Sequence, residues 1–362
     1  MEEKAYLYWL MRAEFLGAVS IRKIYEYFQS FSGIFNIEER ALERAGILKE
    51  RQVRQLVEWK SRYPVCLEEY RKLSDQGISF VAMTEDAYPR RLLSIYDYPA
   101  GLFVRGSLPQ EGPAVAVVGA RGCSASGEQL AEEFARVLAS NGVGIVSGLA
   151  LGIDGAAHKG ALEAGGNTYG ILGCGVNICY PPANYRLYQE MTGHGAVISE
   201  FPPDARPLAR HFPMRNRIIS GLADAVLVVE AREKSGSLIT AELGLEQGRE
   251  IFAVPGRVTD HLSRGCNFLI QQGAHMAVSP EDILEYLGIR YQKKLVVSEK
   301  NIKRLAKKEK MVYICLDFTP KHLDEILRET RLPVSECMAV LLELELGGYV
   351  YRTANHYYGK RI

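Results

Sequence analysis

A glycine-rich turn from residue 119 to residue 127 holds the first candidate residues for ligand binding. The turn follows the apolar run VAVV, leads into a predicted helix, and contains Gly119, Arg121 and Ser124. Glycine lets the backbone approach a ligand closely, and the free N–H groups at a helix start attract anions. The guanidinium of Arg121 adds a charged fork that suits phosphate. The turn therefore predicts a phosphate site, although glycine is also common in turns with a purely structural role.

A second turn of this kind follows the run AVLVVE and joins a lysine to two hydroxyl side chains and a glycine. Its residues are Lys234, Ser235, Gly236 and Ser237, and a predicted helix begins among them. This combination is typical of a phosphate cradle that has no catalytic group. Ser237 is also suited to cap the helix, which would be a structural role.

A third turn, SGLALGID, begins with Ser147 and Gly148 and ends with Asp154 at the predicted start of a helix. His158 follows one helical turn later on the same face. We take Ser147, Gly148 and His158 as candidate phosphate-binding residues, whereas Asp154 suits the N-cap position. An isolated Asp/His pair is more often structural than catalytic, because no serine or cysteine nucleophile is visibly paired with it.

A fourth segment, ARPLARHFPMRNR, surrounds an aromatic ring with arginines, and no acidic residue occurs from residue 205 to residue 223. A charge run is commonly a solvated surface, and the ring of Phe212 would then be a core anchor. Arginines that hold a backbone beside a ring that stacks on a base are, however, typical of single-strand nucleic-acid binding. The candidate binding residues of this segment are Arg210, Phe212, Arg215, Asn216 and Arg217.

The spacing within this segment predicts different roles for its side chains. Pro213 suits the first position of a helix, because its missing N–H would be unpaired there in any case. Arg215 and Arg217 lie two residues apart, so they do not share one helical face. We expect one of them to hold phosphate and the other to pair with an acid such as Glu200 or Glu230.

Several common ligand classes are disfavoured by the motifs. The turn after VAVV departs from G-x-G-x-x-G, and the next apolar run ends in Ser147 and Gly148 instead of the acid that binds a ribose. No G-x-x-x-x-G-K-[ST] occurs, so nothing supports ATP hydrolysis by a P-loop. The seven cysteines form no C-x-x-C pair and no zinc pattern. We therefore expect neither a cofactor nor a metal.

The 362 residues carry a formal net charge of +1, so nucleic-acid binding would depend on a local basic patch. No run approaches the ~20 apolar residues of a transmembrane helix, and the N-terminus lacks the pattern of a signal peptide. The odd, dispersed set of cysteines suits reduced thiols. These features predict a cytoplasmic protein of two or three domains that has no membrane partner.

The order of predicted elements indicates how these turns are positioned. Residues 1–65 have helical periodicity, whereas from 66 to 288 short apolar runs alternate with helical patterns. This alternation predicts an α/β domain with a Rossmann-like, mostly parallel sheet. Several runs end in glycine, which places the glycine-rich turns at the carboxyl edge of the sheet, where such folds bind ligands.

The C-terminal part reads as a linker followed by a small module. Residues 289–310 are basic and have little apolar periodicity, which predicts the linker. From 311 to 362, two helical segments (HLDEILRET and VSECMAVLLELELGG) precede two short strand patterns around residues 353–355. Helices followed by a β-ribbon are the order of elements in a winged helix.

The same residues resemble the DNA processing protein A (DprA/Smf) family from about residue 85 to residue 285. The similarity includes GAR at 119, SGLAxGIDxxAH at 147, GCG at 173 with YP at 180, and SE at 199. It continues with FPxRNRII at 212, VEA at 229, SGSLxT at 235, VPG at 254 and GxNxLIxxGA at 265. The N-terminal helices resemble the family's SAM-like/helix-hairpin-helix domain, and the C-terminal module resembles its winged helix. One departure is Ser126, where members often have an aromatic residue.

This resemblance implies a homodimer that binds and protects incoming single-stranded DNA during natural transformation and passes it to the RecA recombinase. It implies no catalytic residue, so we do not expect an enzyme. The dimer is expected to form through the α/β domain, with residues 267–274 as a candidate surface.

The alternative is an enzyme. The family's fold is similar to that of nucleotide-cleaving proteins of the Lonely Guy and lysine-decarboxylase-like type, whose P-G-G-x-G-T-x-x-E turn supplies a catalytic glutamate. Glu242 would be that residue here, but the double glycine is missing from the corresponding turn. Release of free base from nucleoside monophosphates would distinguish the two hypotheses.

Overall fold

The computed structural model describes residues 2–109, 111–290, 306–317, 320–353 and 356–360. Its first region is helical, and the apolar faces of these helices meet in a core where Trp9 and Leu56 are fully buried. The helices are α1 (Glu2–Met11), α2 (Ala18–Phe28), α3 (Phe31–Asn36), α4 (Glu39–Ala45), α5 (Glu50–Trp59) and α6 (Tyr63–Arg71). Helix α6 extends past residue 65 because Cys66 is buried in the same core; the exact division into domains stays a prediction.

A mixed sheet follows, and nine of its strands lie within the described residues. The strands are β1 (Ser79–Ala82), β2 (Gly101–Gly106), β3 (Ala114–Val118), β4 (Gly144–Ser147), β5 (Thr168–Ile171), β6 (Gly195–Ser199), β7 (Ala225–Val228), β8 (Glu250–Ala253) and β9 (His275–Met276). Their order is β1-β2-β6-β5-β4-β3-β7-β8-β9. The neighbours from β6 to β9 are parallel, whereas β1 and β2 pair antiparallel at one edge.

Helices cover both faces of the sheet, as its buried apolar strands require. The helices are α7 (Ala125–Ser140), α8 (Ile153–Glu163), α9 (Tyr185–Met191), α10 (His211–Gly221), α11 (Gly236–Glu246), α12 (Arg264–Gln271) and α13 (Pro280–Tyr286). Val115 and Val117 of β3 point to one face and pack with α7 and α8, whereas Ala116 and Val118 point to the other face, with α10 and α11. Short 3₁₀ turns occupy Lys60–Arg62, Ser74–Gln76, Arg90–Ser94 and Pro182–Asn184.

The strand order reverses direction between β3 and β7. The chain builds outward from β3 through β4, β5 and β6, and then returns to place β7, β8 and β9 on the other side of β3. In open parallel sheets the crevice at such a reversal, outside the carboxyl ends of the strands, is the usual ligand site. The turns after β3 and β7, which include Arg121 and Lys234, flank this crevice.

The last region is a winged helix, built from α14 (Lys307–Cys315), β10 (Lys321–His322), α15 (Leu323–Thr330), α16 (Val334–Leu346), β11 (Val350–Arg352) and β12 (Tyr357–Lys360). Its strands pair in the order β10-β12-β11. Helix α14 begins inside the stretch that was predicted to be a linker, because Val312 and Leu316 are buried in this core. Most of the predicted linker, residues 291–305, and residues 354–355 between the two predicted strands lie outside the described residues.

The predicted fold class is confirmed: a mostly parallel Rossmann-like sheet stands between a helical region and a winged helix. Throughout the described part of the chain, no helix combines the length and the apolar character needed to cross a membrane.

Candidate functional site

A cavity of about 700 Å³ opens at the carboxyl edge of the sheet, at the reversal between β3 and β7. Five segments line it: the turns after β3, β4 and β7, the approach to α10 with that helix's first residues, and the loop after β5 that carries Tyr180. The cavity thus brings together the predicted residues Gly119, Arg121, Phe212, Arg215, Asn216, Lys234, Ser235, Gly236 and Ser237.

Three of the cavity-lining side chains are exposed cations: Arg121, Arg232 and Lys234. Two of them come from the turn after β7 and one from the turn after β3, on the two sides of the reversal. Sequence reasoning missed Arg232, although it lies two residues before Lys234 in the same turn. An anion inside the cavity would be attracted by cations of both turns, the one after β3 and the one after β7.

Two aromatic rings stand beside these cations. The ring of Phe212 is half-buried against Gly173, and its centroid lies 5.7 Å from that of Tyr180. The guanidinium of Arg121 lies over the Phe212 ring, 5.2 Å from its centroid. Tyr180 is 41 % exposed and lines the cavity. Sequence reasoning did not assign Tyr180 to the site, because it lies in a loop far from the glycine-rich turns.

Helix α10 begins two residues earlier than predicted, at His211, so Pro213 is the third residue of the helix and not the first. Proline is tolerated throughout the first turn, whose N–H groups have no partner within the helix. The buried side chain of His211 stabilises this earlier start. Its ring stacks on Phe201 with centroids 4.0 Å apart, and its Nδ1 lies 3.2 Å from the carbonyl oxygen of Gly173.

Arg215 lines the cavity but is only 3 % exposed, contrary to the prediction that it binds phosphate directly. Its guanidinium is buried and donates hydrogen bonds to the carbonyl of Gly148, at 2.7 Å, and to that of Ile171. Burial lowers the pKa of Arg215 to about 10, and Asp154 opposes this shift. Arg215 therefore ties α10 to the ends of β4 and β5 and shapes the cavity floor.

The prediction that one of the two arginines pairs with an acid is confirmed for Arg217. Its guanidinium donates two hydrogen bonds of 2.7 Å to the carboxylate of Glu200, and its Nε lies 2.9 Å from Asp97. Arg217 is buried, so its assignment as a DNA- or phosphate-binding residue is wrong. Burial raises the pKa of Glu200, and the charge of Arg217 opposes that rise.

In the turn after β4, the polar groups of Ser147 and Gly148 form hydrogen bonds within the protein. Ser147 is buried and donates its hydroxyl hydrogen to the carbonyl of Val117, so it does not reach a ligand. The N–H of Gly148 donates a hydrogen bond of 3.1 Å to the carboxylate of Asp154. A Cβ added to Gly148 would lie 2.4 Å from the guanidinium of Arg215. Asp154 lines the cavity but is the second residue of α8, so the predicted N-cap role is wrong; Gly152 holds that position.

His158 is fully buried and cannot contact a strand, which corrects its assignment to the site. Thr168 donates its hydroxyl hydrogen to the carbonyl of Ile145, so Nδ1 of His158, 2.6 Å from that hydroxyl, must be the donor. Nε2 has no hydrogen-bond partner among the described residues. Burial, followed by the charge of Arg215, lowers the pKa of His158 to about 3, so the imidazole is neutral.

Helices α7 and α11, which begin beside the cavity, are each capped by a serine. Ser124 accepts a hydrogen bond from the N–H of Gly127 and binds the carboxylate of Glu230, so it does not line the cavity. At α11 the cap is Ser235, which lies 2.8 Å from the hydroxyl of Ser237; the prediction that Ser237 is the cap is wrong.

Of the two remaining candidates in the fourth segment, Asn216 lines the cavity and Arg210 does not. Asn216 lines it and donates a hydrogen bond of 3.3 Å to the carbonyl of Gly236, which joins α10 to the turn after β7. Arg210 is exposed and is not among the residues that line the cavity. Glu242, the acid of the enzyme hypothesis, is exposed on α11 and also lies outside the lining.

All seven cysteines are free thiols, and within the described ranges no group of three His, Cys, Asp or Glu residues is placed to hold a metal ion. The chemistry available in the cavity is therefore that of exposed cations, hydroxyl groups and aromatic rings. Such an arrangement binds anions and planar groups.

The chain matches two family models in succession. Residues 79–288 match the model described as DNA recombination-mediator protein A, and residues 298–355 match the DprA winged helix domain. Protein Smf of Escherichia coli is 43 % identical over 272 residues, which are 73 % of this chain and 72 % of that protein. The DNA processing protein DprA of Bacillus subtilis is 46 % identical over 231 residues, 63 % of this chain and 77 % of the relative.

Solved structures agree with this similarity. The X-ray structure of DNA processing protein A from Streptococcus pneumoniae superposes with a TM-score of 0.69 at 36 % identity, covering 79 % of this chain and 98 % of that one. A Helicobacter pylori DNA processing protein A, whose structure concerns a single-stranded DNA binding mode, superposes with a TM-score of 0.52 at 30 % identity over 58 % of this chain and 95 % of that chain. With a family model covering residues 79–288 and a winged-helix model after it, the chain belongs to the DprA/Smf family.

Proposed function

We propose that the cavity binds single-stranded DNA. The observation that carries this proposal is the placement of three exposed cations, Arg121, Arg232 and Lys234, around the rings of Phe212 and Tyr180. Cations that hold phosphates beside rings that stack on bases are the usual means of binding a strand without reading its sequence. The structural relative from Helicobacter pylori, which binds single-stranded DNA, supports the same assignment.

We further propose a role in DNA processing during natural transformation, in which the protein protects the incoming strand in the cytoplasm and loads the RecA recombinase onto it. Support comes from the family membership and from the names of relatives as DNA processing and recombination-mediator proteins. A strand-exchange assay with RecA and DNA already coated by a single-strand-binding protein tests this role. Stimulation by this protein is expected, and no stimulation would contradict it.

A homodimer is the proposed assembly. Within the candidate surface 267–274, Asn267 is engaged internally with the N–H and carbonyl of Gly256, whereas Phe268 is 53 % exposed. The adjacent strand β9 pairs with β8 and, among the described residues, forms the edge of the sheet; it ends in Met276, which is also exposed, so an apolar patch borders this sheet edge. Light scattering at micromolar concentration should give twice the mass of one chain, and Phe268→Asp should shift the mass toward that of the monomer.

We propose a binding protein and not an enzyme, because the exposed Glu242 does not line the cavity. The direct test of the binding proposal is a gel-shift comparison of single- and double-stranded oligonucleotides of one sequence, alongside incubation with nucleoside monophosphates. Preferential binding of the single strand, without release of free base, is expected. Base release would favour the nucleotide-cleaving alternative.

A further inference from the structure

We infer that Glu230 is a specificity-determining residue whose carboxylate occupies the position where a nucleotide phosphate would bind at the start of α7. The consequence is that the crevice rejects nucleotide cofactors and is left to a strand held by side-chain cations. This inference rests on the proposed function, because it explains why the cavity takes a polymer and not a small nucleotide.

The carboxylate of Glu230 is held by the helix start itself. The backbone N–H of Ser124, the N-cap of α7, donates to Oε2 at 2.8 Å, and the Ser124 hydroxyl donates to Oε1 at 2.5 Å. The main chain of Glu230 takes part as well, because its carbonyl accepts the N–H of Ala120 at 2.8 Å. Glu230 is 9 % exposed, so the carboxylate is enclosed between the turns after β3 and β7.

The space at this helix start is filled. A Cβ added to Gly127, in the first turn of α7, would lie 2.3 Å from the carboxyl carbon of Glu230. Glycine at this position therefore allows the carboxylate to lie directly against the helix. A phosphate group brought to the same place would meet both a steric clash and a like charge.

This position is the one that open parallel sheets use for nucleotides. In dinucleotide-binding sheets, the pyrophosphate lies at the N-terminus of the helix that follows the first strand, beside the strand-order reversal. Here that helix is α7, which follows β3 at the reversal. An internal anion thus takes the place of the ligand's anion and receives the same N–H and hydroxyl donors.

A second, independent observation agrees. The strand next to β3 would supply the acid that holds a ribose in a dinucleotide site. Strand β4 ends instead in Ser147, which is buried and donates its hydroxyl to Val117. The phosphate position at the start of α7 is therefore occupied, and the acid that would bind a ribose is absent from the end of β4. The cations Arg121, Arg232 and Lys234, by contrast, are exposed in the cavity.

The test replaces the carboxylate with a space that an anion can enter. Melting temperatures of wild type and Glu230→Ala are measured against increasing inorganic phosphate, with ionic strength kept constant by chloride. We expect Glu230→Ala to melt lower without phosphate. Phosphate at roughly ten times its dissociation constant should then raise its melting temperature by about 4 °C more than that of wild type.

Three control variants test whether the additional stabilisation by phosphate comes from the start of α7. Glu230→Gln fills the same space without a charge, so phosphate should stabilise it no more than wild type. Glu242→Ala removes an exposed acid from α11 and should behave as wild type. The double variant Glu230→Ala/Lys234→Ala should keep the additional phosphate response, since the new site lies at α7 and not among the cavity cations.

The inference is overturned if phosphate stabilises Glu230→Ala no more than wild type. If the variant does not fold alone, it is refolded from denaturant with and without phosphate. Recovery only with phosphate supports the inference, and no recovery in either buffer overturns it. Because the readout uses no DNA, its failure is separate from failure of the proposed function, which wild-type binding to single-stranded oligonucleotides tests.

Discussion

The guanidinium of Arg121 lies over the ring of Phe212, 5.2 Å from its centroid, and so joins the turn after β3 to the first turn of α10. The cation is exposed, whereas the ring is half-buried. The planar guanidinium therefore covers the ring and offers its own charged surface to the cavity. This contact makes Arg121 both a phosphate ligand and part of the stacking surface in the proposed complex.

Two substitutions separate these contributions. We expect Arg121→Ala to weaken binding to single-stranded oligonucleotides about tenfold for all sequences alike, because phosphate contacts position a strand without reading it. Arg121→Lys should restore the salt dependence but not the full affinity, since the ammonium lacks the planar surface. Fluorescence anisotropy measures both, with Arg136→Ala on α7 as the control. Wild-type affinity for Arg121→Ala would reduce the turn to a structural bend.

The aromatic pair provides a second comparison. Tyr180→Ala should weaken single-strand binding by about 1–3 kcal/mol per stacked base and lower the melting temperature less than Phe212→Ala does, because Tyr180 is 41 % exposed. Phe212→Ala should lower both binding and melting temperature, because its ring packs against Gly173. Tyr185→Ala, exposed and outside the cavity lining, is the control. If Tyr180→Ala and Phe212→Ala both bind DNA as wild type does, the rings do not form the site.

The pair of Arg217 and Glu200 should be important for stability. Arg217→Ala leaves the buried Glu200 carboxylate without its partner, which costs about 3–5 kcal/mol in comparable buried pairs. We therefore expect a clearly lower free energy of unfolding in urea and, with α10 displaced, weaker DNA binding. Arg206→Ala, an exposed arginine of the same segment, should change neither stability nor fold. A wild-type unfolding curve for Arg217→Ala would refute a structural role for this pair.

His158 predicts a pH dependence of stability. Its pKa is about 3 in the folded protein against 6.5 for an ordinary histidine. Between these two pKa values the unfolded chain binds a proton that the folded protein does not. The stability that the neutral imidazole contributes above pH 6.5 is therefore lost as the pH falls toward the folded pKa. The loss should be ~2 kcal/mol between pH 7 and pH 5.

The variant His158→Asn keeps a donor toward Thr168 and removes the titration. Burial raises the pKa of Asp154 and of Glu200, and their opposite contributions are common to both proteins. The difference between wild type and variant therefore isolates the imidazole. Urea unfolding across this pH range should show a shallower acid-side decline for the variant, and parallel curves would contradict the assignment.

The sheet and the location of the cavity were predictable from sequence. Apolar runs that end in glycine and alternate with helical patterns specify parallel strands, and such strands place their following turns at one edge. Gly119, Arg121 and Lys234 could be identified in this way, because each lies in the turn between a strand and the helix that follows it. The spacing of Arg215 and Arg217 also predicted that one of them pairs with an acid such as Glu200 or Glu230, and the structure selects Arg217 and Glu200.

Burial within the fourth segment could not be predicted. A run of arginines with no neighbouring acid looks solvated, but the partners of Arg215 are backbone carbonyls at the ends of other strands, Gly148 and Ile171. These contacts depend on how the strands are ordered in the sheet. Tyr180 was missed for the same reason, since only the fold brings its loop to Phe212.

The salt dependence of single-strand affinity tests the central claim most directly. Wild type is compared with Arg232→Ala/Lys234→Ala, which removes two exposed cations of the cavity. If each cation neutralises one phosphate, the slope of log affinity against log salt should become shallower by about 1.4 in the double variant, and affinity at low salt should fall. A double variant with the wild-type slope and affinity would show that the strand does not bind in this cavity.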